Sequence, residues 1–337
     1  MRAVALDYRQ RRLLQTELPP PRLQRDDQVL FRVREVGVCG TDRELAAFRL
    51  GFPPAGESLL VLGHEALGQV VEAGPAVTTL SPGDWVAPMI RRACSPPCPS
   101  CARGRRDLCV SSQSLERGIF GLHGYCAEYA LDAAEDLVRV PENLLDCAVL
   151  IEPLSVVEKA LQTALRFHEP GPASALVLGA GPIGLLAALA LQVRGLDTSV
   201  YSLEPADHPR ARLARDAGLR YVTMLGTQKA DIVIEATGAP EAALAALRCL
   251  APLGVCAVLG AANTTGPIPF MDLLVNNQTV FGSVNASPQA FRAALEDLLR
   301  FDRAILNRMI RRRSLSELPQ TLPSPAPDSP KTVHVVS

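Results

Sequence analysis

The sequence lacks the marks of several protein classes. No charge of either sign dominates, since Lys+Arg 34 stand against Asp+Glu 35 and leave a net charge of -1. That balance disfavours a basic nucleic-acid binder and a strongly acidic partner protein alike. Lysine is scarce, with Lys159, Lys229 and Lys331 the only lysines among those 34 cations, a bias that carries no functional reading. The N-terminus, MRAVALDYRQRRLL, has no apolar run long enough for a secretory signal. No internal repeat of solenoid period is present. The stretch Ala175–Val193 is free of charge and approaches the roughly 20 residues that span a bilayer. However, Gly179, Gly181, Pro182 and Gly184 near its start fit a strand, a tight turn and a buried helix better than one membrane helix. The expected location is therefore the cytoplasm, with neither membrane nor nucleic acid as partner.

What the chain does have is apolar content and length. Its 337 residues, 48% hydrophobic and 20% charged, exclude disorder. They argue for two domains at roughly 100–200 residues each. Short strand patterns such as Gln28–Val38 and Ala66–Ala73, separated by Gly/Pro turns, fill the first part of the chain. A helix is predicted from near Pro153, a residue suited to the first helical turn. Beyond Pro170 strands alternate with helices: ALVLGAGPIGLLAALALQVRG, TSVYSLE, HPRARLARDAG, ADIVIEATG, EAALAALRCL and GVCAVLGA. Such alternation implies a parallel, doubly wound sheet. It ends after TVFGSV, and FRAALEDLLRF then reads as an amphipathic helix. The Pro-rich LPSPAPDSP reads as a surface loop leading into a last strand, KTVHVV.

Of nine cysteines, four fall within Cys94–Cys109: Cys94, Cys98, Cys101 and Cys109. Without a secretory signal, metal binding outweighs disulfide formation. Four thiolates on a short Pro/Gly-rich loop can close a tetrahedral zinc site with no open position.

Gly179, Gly181 and Gly184, with Ala180, Pro182 and Ile183 between them, spell G-x-G-x-x-G after an apolar strand and at the opening of a helix. In that context the glycines permit a tight turn and close approach of a pyrophosphate, which the helix N-terminus stabilises. Glu204, about 20 residues further on, stands where a carboxylate accepts hydrogen bonds from the adenosine ribose. It favours NAD over NADP, while Arg210 and Arg212 either soften that preference or form a solvated helix face.

Upstream, Cys39 in VCGTD, His64 in GHEALG and Glu152 in IEPL offer S, N and O ligands for one zinc with a fourth position open. Singly, each has another reading: Cys39 as a small core residue, His64 as a loop histidine, Glu152 as a helix cap.

VCGTD, GHEALG, GDWVAP, the four-cysteine lobe and GAGPIG occur in order, and in this the chain resembles the zinc-dependent medium-chain dehydrogenases over nearly its whole length. It is more similar still to the archaeal-type glucose 1-dehydrogenases, through RRACSPPCPSCARGRRDLC, ERGIFGLHGYCAEY and LIEPLSVVEKA. The resemblance implies an α/β fold: a Rossmann doubly wound parallel sheet plus a mostly β, GroES-like catalytic domain with a structural zinc lobe. The expected boundaries are 1–168 for the catalytic domain with the lobe at about 91–110, 169–285 for the NAD(P)-binding domain, and 286–337 for a return to the catalytic domain. It implies a catalytic zinc on Cys39, His64 and Glu152, which Glu65 is able to enter, and a structural zinc on Cys94, Cys98, Cys101 and Cys109. The lobe reads C-x3-C where the family has C-x2-C, so Cys94 is the ligand that departs from pattern. Glu116 matches a sugar-binding position and Asn285 one near sugar and nicotinamide, while Val275 stands where the family has a histidine.

The expected function is oxidation of an aldose, D-glucose first and galactose or xylose next, at C1 to the lactone with NAD or NADP. Thr41 would pass the proton on, and a cleft between the domains is the expected site. Polyol, threonine or simple alcohol oxidation is the alternative within the same chemistry. A non-catalytic nucleotide-binding protein is the alternative outside it. The family's common assemblies make a homo-oligomer, tetramer or dimer, the expected state.

Overall fold

The computed structural model describes residues 1–111, 114–260, 268–323 and 330–337. The chain forms two compact units. The first comprises Met1–Glu152, the segment that begins at Ile310, and the C-terminal Lys331–Ser337; the second is built on Pro153–Met309. The division therefore falls after Glu152 and after Met309 rather than after 168 and 285. The helix Ile151–Phe167 starts two residues before Pro153 and lies in the second unit from Pro153 onward. There Arg194 bonds Glu158 at 2.7 Å and also pairs with Asp297 of the helix Pro288–Leu298. These ion pairs, with buried Phe291, Ala294 and Leu298, hold both helices to the second unit. The expected Pro-rich loop at Leu322–Pro330 lies mostly outside the described residues.

In the first unit the long strand Gln28–Gly37 is central. It pairs antiparallel with Glu65–Ala73 and Tyr129–Ala133, and with the C-terminal strand Lys331–Val335. Gly37 sits opposite both Glu65 and Val333. The alternation in FRVREV puts Phe31 and Val33 into the core beside Tyr125, all at 0% exposure. A smaller sheet joins Arg2–Asp7 to Arg12–Glu17 and Leu59–Val61.

The second unit holds six parallel strands. Their spatial order is Arg220–Val222, Asp197–Tyr201, Ser174–Leu178, Ala230–Glu235, Leu250–Val258 and Thr279–Gly282. With helices Pro182–Val193, Pro209–Asp216 and Pro240–Arg248 between strands, this is the doubly wound arrangement. The inner strands Ser174–Leu178 and Ala230–Glu235 are largely buried and mostly apolar, as expected where helices cover both faces of a parallel sheet. The uncharged stretch Ala175–Val193 is a strand, a turn and a helix whose residues Gly184–Leu191 are all buried. No helix among the described residues is long and apolar enough to cross a membrane.

A buried ionic network ties the four-cysteine loop to the first unit's sheet. Asp132 accepts from Tyr125 at 2.7 Å and from Arg117 Nε at 2.9 Å, and pairs with Arg92. Arg92 also meets Asp136 at 2.9 Å, and Asp136 binds Arg106, which lies in the loop between Cys101 and Cys109. Burial would raise the Asp132 carboxyl, but Arg117 and Arg92 outweigh it and hold it below the ordinary range. Removing it would strand buried cations, a loss of about 3–5 kcal/mol. Urea unfolding of Asp132→Ala is expected to read that loss; a change under about 1 kcal/mol would mean the network is structurally idle.

Candidate functional site

Three potential ligands converge in the first unit. One atom each of Cys39, His64 and Glu65 lie within 4.8 Å of one another. Cys39, two residues past the central strand, caps the short helix Gly40–Ala46; Glu65 begins the neighbouring strand and His64 directly precedes it. Glu152 stands outside this group of three, yet is electrostatically coupled to it. Burial and the Glu65 carboxylate push the Glu152 carboxyl up to about 8, against the pull of His64 and Lys331.

Two residues that sequence reasoning did not select hold this cluster in place. Asp42 accepts from the Cys39 backbone N–H at 2.8 Å, and its other oxygen lies 3.4 Å from His64 Nδ1. A carboxylate beside the imidazole in this way is the kind of support common around metal-ligating histidines. Burial alone would lower the His64 imidazole, but Asp42 raises it well above its ordinary value. Lys331 pairs with Glu65, both side chains 2% exposed. Gly37 makes room for that pair: a Cβ there would stand 2.1 Å from Glu65 Oε2 and 2.9 Å from Lys331 Cε. Its motif gave no hint of this. A lysine in an arginine-rich chain, inside an apolar strand, was the signal available for Lys331.

Thr41 Oγ1 lies 3.8 Å from Cys39 Sγ. The sulfur, imidazole and carboxylate set suits zinc. The excess of carboxylates, Asp42, Glu65 and Glu152 around one lysine, suits a dication whose charge would reverse the crowding felt by Glu152.

The segment ERGIFGLHG, read from the sequence only through resemblance, has a physical reason for its glycines. A Cβ at Gly118 would lie 2.6 Å from the Gly63 carbonyl oxygen, and one at Gly124 would lie 2.2 Å from it. The loop therefore packs backbone to backbone on the residue before His64. Glu116 at its start is 5% exposed.

The four-cysteine loop gathers all its sulfurs within 4.8 Å. Cys94 and Cys101 are 3.8 Å apart, Cys98 and Cys109 3.9 Å. A Zn–S bond of about 2.3 Å sets the edge of a thiolate tetrahedron at about 3.8 Å. Despite its spacing, Cys94 belongs to the set, and its sulfur accepts the Cys98 N–H at 3.1 Å. The N–H groups of Cys101 and Val110 bring the Cys98 thiol down to about 6.

In the second unit a cavity of about 810 Å³ is lined by Gly179, Gly181, Glu204, Arg210 and Thr237, among others. Gly179 has φ +110°, and a Cβ at Gly184 would strike the Gly179 carbonyl at 1.9 Å. Around Gly181 there is open space, with Pro182 and Ile183 opening the helix behind it. Glu204 accepts from Ser202, which with Arg210 keeps its carboxylate low against burial. Arg210 meets Glu204 at 3.1 Å and is 14% exposed. It faces the cavity rather than solvent, correcting the solvated-face reading; Arg212 is exposed. Asn285 follows the edge strand Thr279–Gly282 with φ +61°.

Residues 145–324 match the family described as Glucose dehydrogenase C-terminus, and residues 25–142 the Alcohol dehydrogenase GroES-like domain. Glucose 1-dehydrogenase 2 of Vulcanisaeta moutnovskia is 41% identical over 86% of this chain and 84% of its own. Glucose 1-dehydrogenase of Thermoproteus tenax is 41% identical over 84% and 83%. The structure of Haloferax mediterranei glucose dehydrogenase in complex with NADP, Zn and gluconolactone superposes with a TM-score of 0.91 at 31% identity, covering 100% of this chain and 99% of that one.

Two separate ligand sets predict about two zinc ions per chain in protein purified without chelator. Cys94→Ser should bring elemental analysis to about one. An unchanged content in that variant would show that the lobe does not use its fourth sulfur.

Proposed function

The chain belongs to the zinc-dependent medium-chain dehydrogenases, close to the archaeal glucose 1-dehydrogenases, and from that membership we propose that it oxidises an aldose, D-glucose foremost, at C1 to the lactone with NAD or NADP. The observation that carries this reading is the packing of the Glu116 loop on Gly63, which brings a buried carboxylate suited to sugar hydroxyls against the segment that carries His64 and Glu65. A simple alcohol would have no use for that carboxylate.

We read the first unit as catalytic and the second as nucleotide-binding. Cys39 and His64 would hold the catalytic zinc, with Glu65 and Glu152 as its oxygen ligands, and Cys94, Cys98, Cys101 and Cys109 the structural one. When bound, zinc lowers the pKa of a C1 hydroxyl as a Lewis acid and the nicotinamide takes up hydride. The chain's own residues supply position and charge. Asp42 orients His64, Lys331 balances Glu65, and the Thr41 hydroxyl beside Cys39 gives the substrate proton a way out. Gly179, Gly181 and Gly184 with the N-terminus of the helix at Pro182 would seat the pyrophosphate. Asn285 is read as a contact near the nicotinamide.

The Glu204–Arg210 pair bears on cofactor choice. With NAD, Glu204 accepts ribose hydroxyls while keeping its arginine. With NADP, Arg210 would have to leave Glu204 for the 2'-phosphate. NAD should therefore serve at least as well as NADP, with dual use. Nine cysteines, none of them in a disulfide, suit a reducing cytoplasm. A homo-oligomer is supported by the helix Phe270–Val275. It buries no residue and exposes Phe270 at 72%, Met271 at 69% and Leu274 at 72%.

Absorbance at 340 nm with NAD or NADP against a panel of aldoses, polyols and alcohols tests the substrate class. D-glucose should lead, and His64→Ala should abolish most turnover without unfolding the chain. A response confined to simple alcohols would overturn the reading. Glu204→Gln should shift kcat/KM toward NADP by roughly tenfold, about 1.4 kcal/mol, and Arg210→Ala should shift it the other way. If neither moves the ratio, the pair does not face the ribose.

A further inference from the structure

The Glu116 carboxylate has a partner that neither motif nor metal chemistry pointed to. Arg91 stands directly opposite Glu116 in an antiparallel bridge. Backbone bonds flank the bridge on both sides: Arg92 N–H to Leu115 O at 2.8 Å and Arg117 N–H to Ile90 O at 3.1 Å. The neighbouring Arg92 is fixed by Asp132 and Asp136, so the frame that carries Arg91 is anchored in the buried network.

The contact itself is one-sided. Arg91 Nε donates to Glu116 Oε1 at 2.8 Å, and Nη2 of the same guanidinium donates to the same oxygen. No described residue is recorded donating to Oε2. A guanidinium that forks across a carboxylate usually takes both oxygens; here both N–H groups converge on one. The result is a buried carboxylate whose charge is balanced and whose second oxygen keeps its accepting lone pairs.

We propose that Arg91 is a positioning residue for the sugar, holding Glu116 by Oε1 so that Oε2 is presented to a substrate hydroxyl. A neutral polyhydroxy substrate brings no cation of its own, and a buried unpaired carboxylate is costly. The protein must therefore supply the counter-charge without occupying the accepting oxygen, as Arg91 does. This inference rests on the reading of Glu116 as a sugar ligand.

Steady-state kinetics of Arg91→Met, Glu116→Gln and the double variant, with D-glucose and NAD, test it. Arg91→Met should raise KM for D-glucose by roughly tenfold, the scale of one charge-assisted hydrogen bond. It should leave kcat and KM for NAD within about twofold, and Arg91→Lys should recover part of the loss. In the Glu116→Gln background, Arg91→Met should add less than about twofold, because its effect runs through Glu116. A KM unchanged in Arg91→Met with only Tm lowered would make the pair merely structural and overturn the proposal. Effects that multiply in the double variant would overturn it as well. Should Arg91→Met fail to fold, Arg91→Lys in both Glu116 backgrounds gives the same comparison. Normal glucose oxidation with an unaltered KM in Glu116→Gln would sink this inference alone; absence of aldose oxidation in the wild type would sink the functional reading.

Discussion

A carboxylate taken out of water must meet a cation, and the first unit is organised around that requirement. Asp132 is shared by Arg92 and Arg117, Asp136 by Arg92 and Arg106, Glu116 is held by Arg91, and Glu65 by Lys331. Asp42 faces the His64 imidazole. At Glu152 burial and the Glu65 carboxylate outweigh the pull of His64 and Lys331, and its carboxyl is pushed up to about 8. The imbalance falls beside a thiol, an imidazole and a second carboxylate, where a dication would restore neutrality.

The same requirement explains how the parts hold one another. Arg106 carries the four-cysteine loop to Asp136, Arg92 links Asp136 to Asp132, and Asp132 anchors Arg117 beside Glu116. The segment before His64 and the segment that begins at Glu116 are joined separately, through Gly63 against Gly118 and Gly124.

Much of this was legible in the sequence, where the information is local. The glycine motif and the four cysteines each lie within one short segment, and each element of the strand–helix alternation is itself local, so periodicity and spacing carry the physics. The long-range partners were not legible. Lys331 reaches Glu65 only because the C-terminal strand pairs beside Gly37, a register set by the sheet. Arg91 meets Glu116 through an isolated bridge that no pattern announces. Arg210 looks like one of several arginines on a helix until the turn of that helix brings it to Glu204. The unit boundaries shifted for a similar reason, because Arg194 binds Glu158 and Asp297 from distant helices.

The central claim is that a dication completes the charge balance among Cys39, His64, Glu65 and Glu152. Anomalous diffraction at the zinc absorption edge, from crystals of protein grown with zinc and no chelator, tests it most directly. The account predicts two peaks per chain, one among the four cysteine sulfurs and one within bonding distance of Cys39 Sγ and His64 Nε2. A single peak, at the cysteine lobe alone, would contradict it.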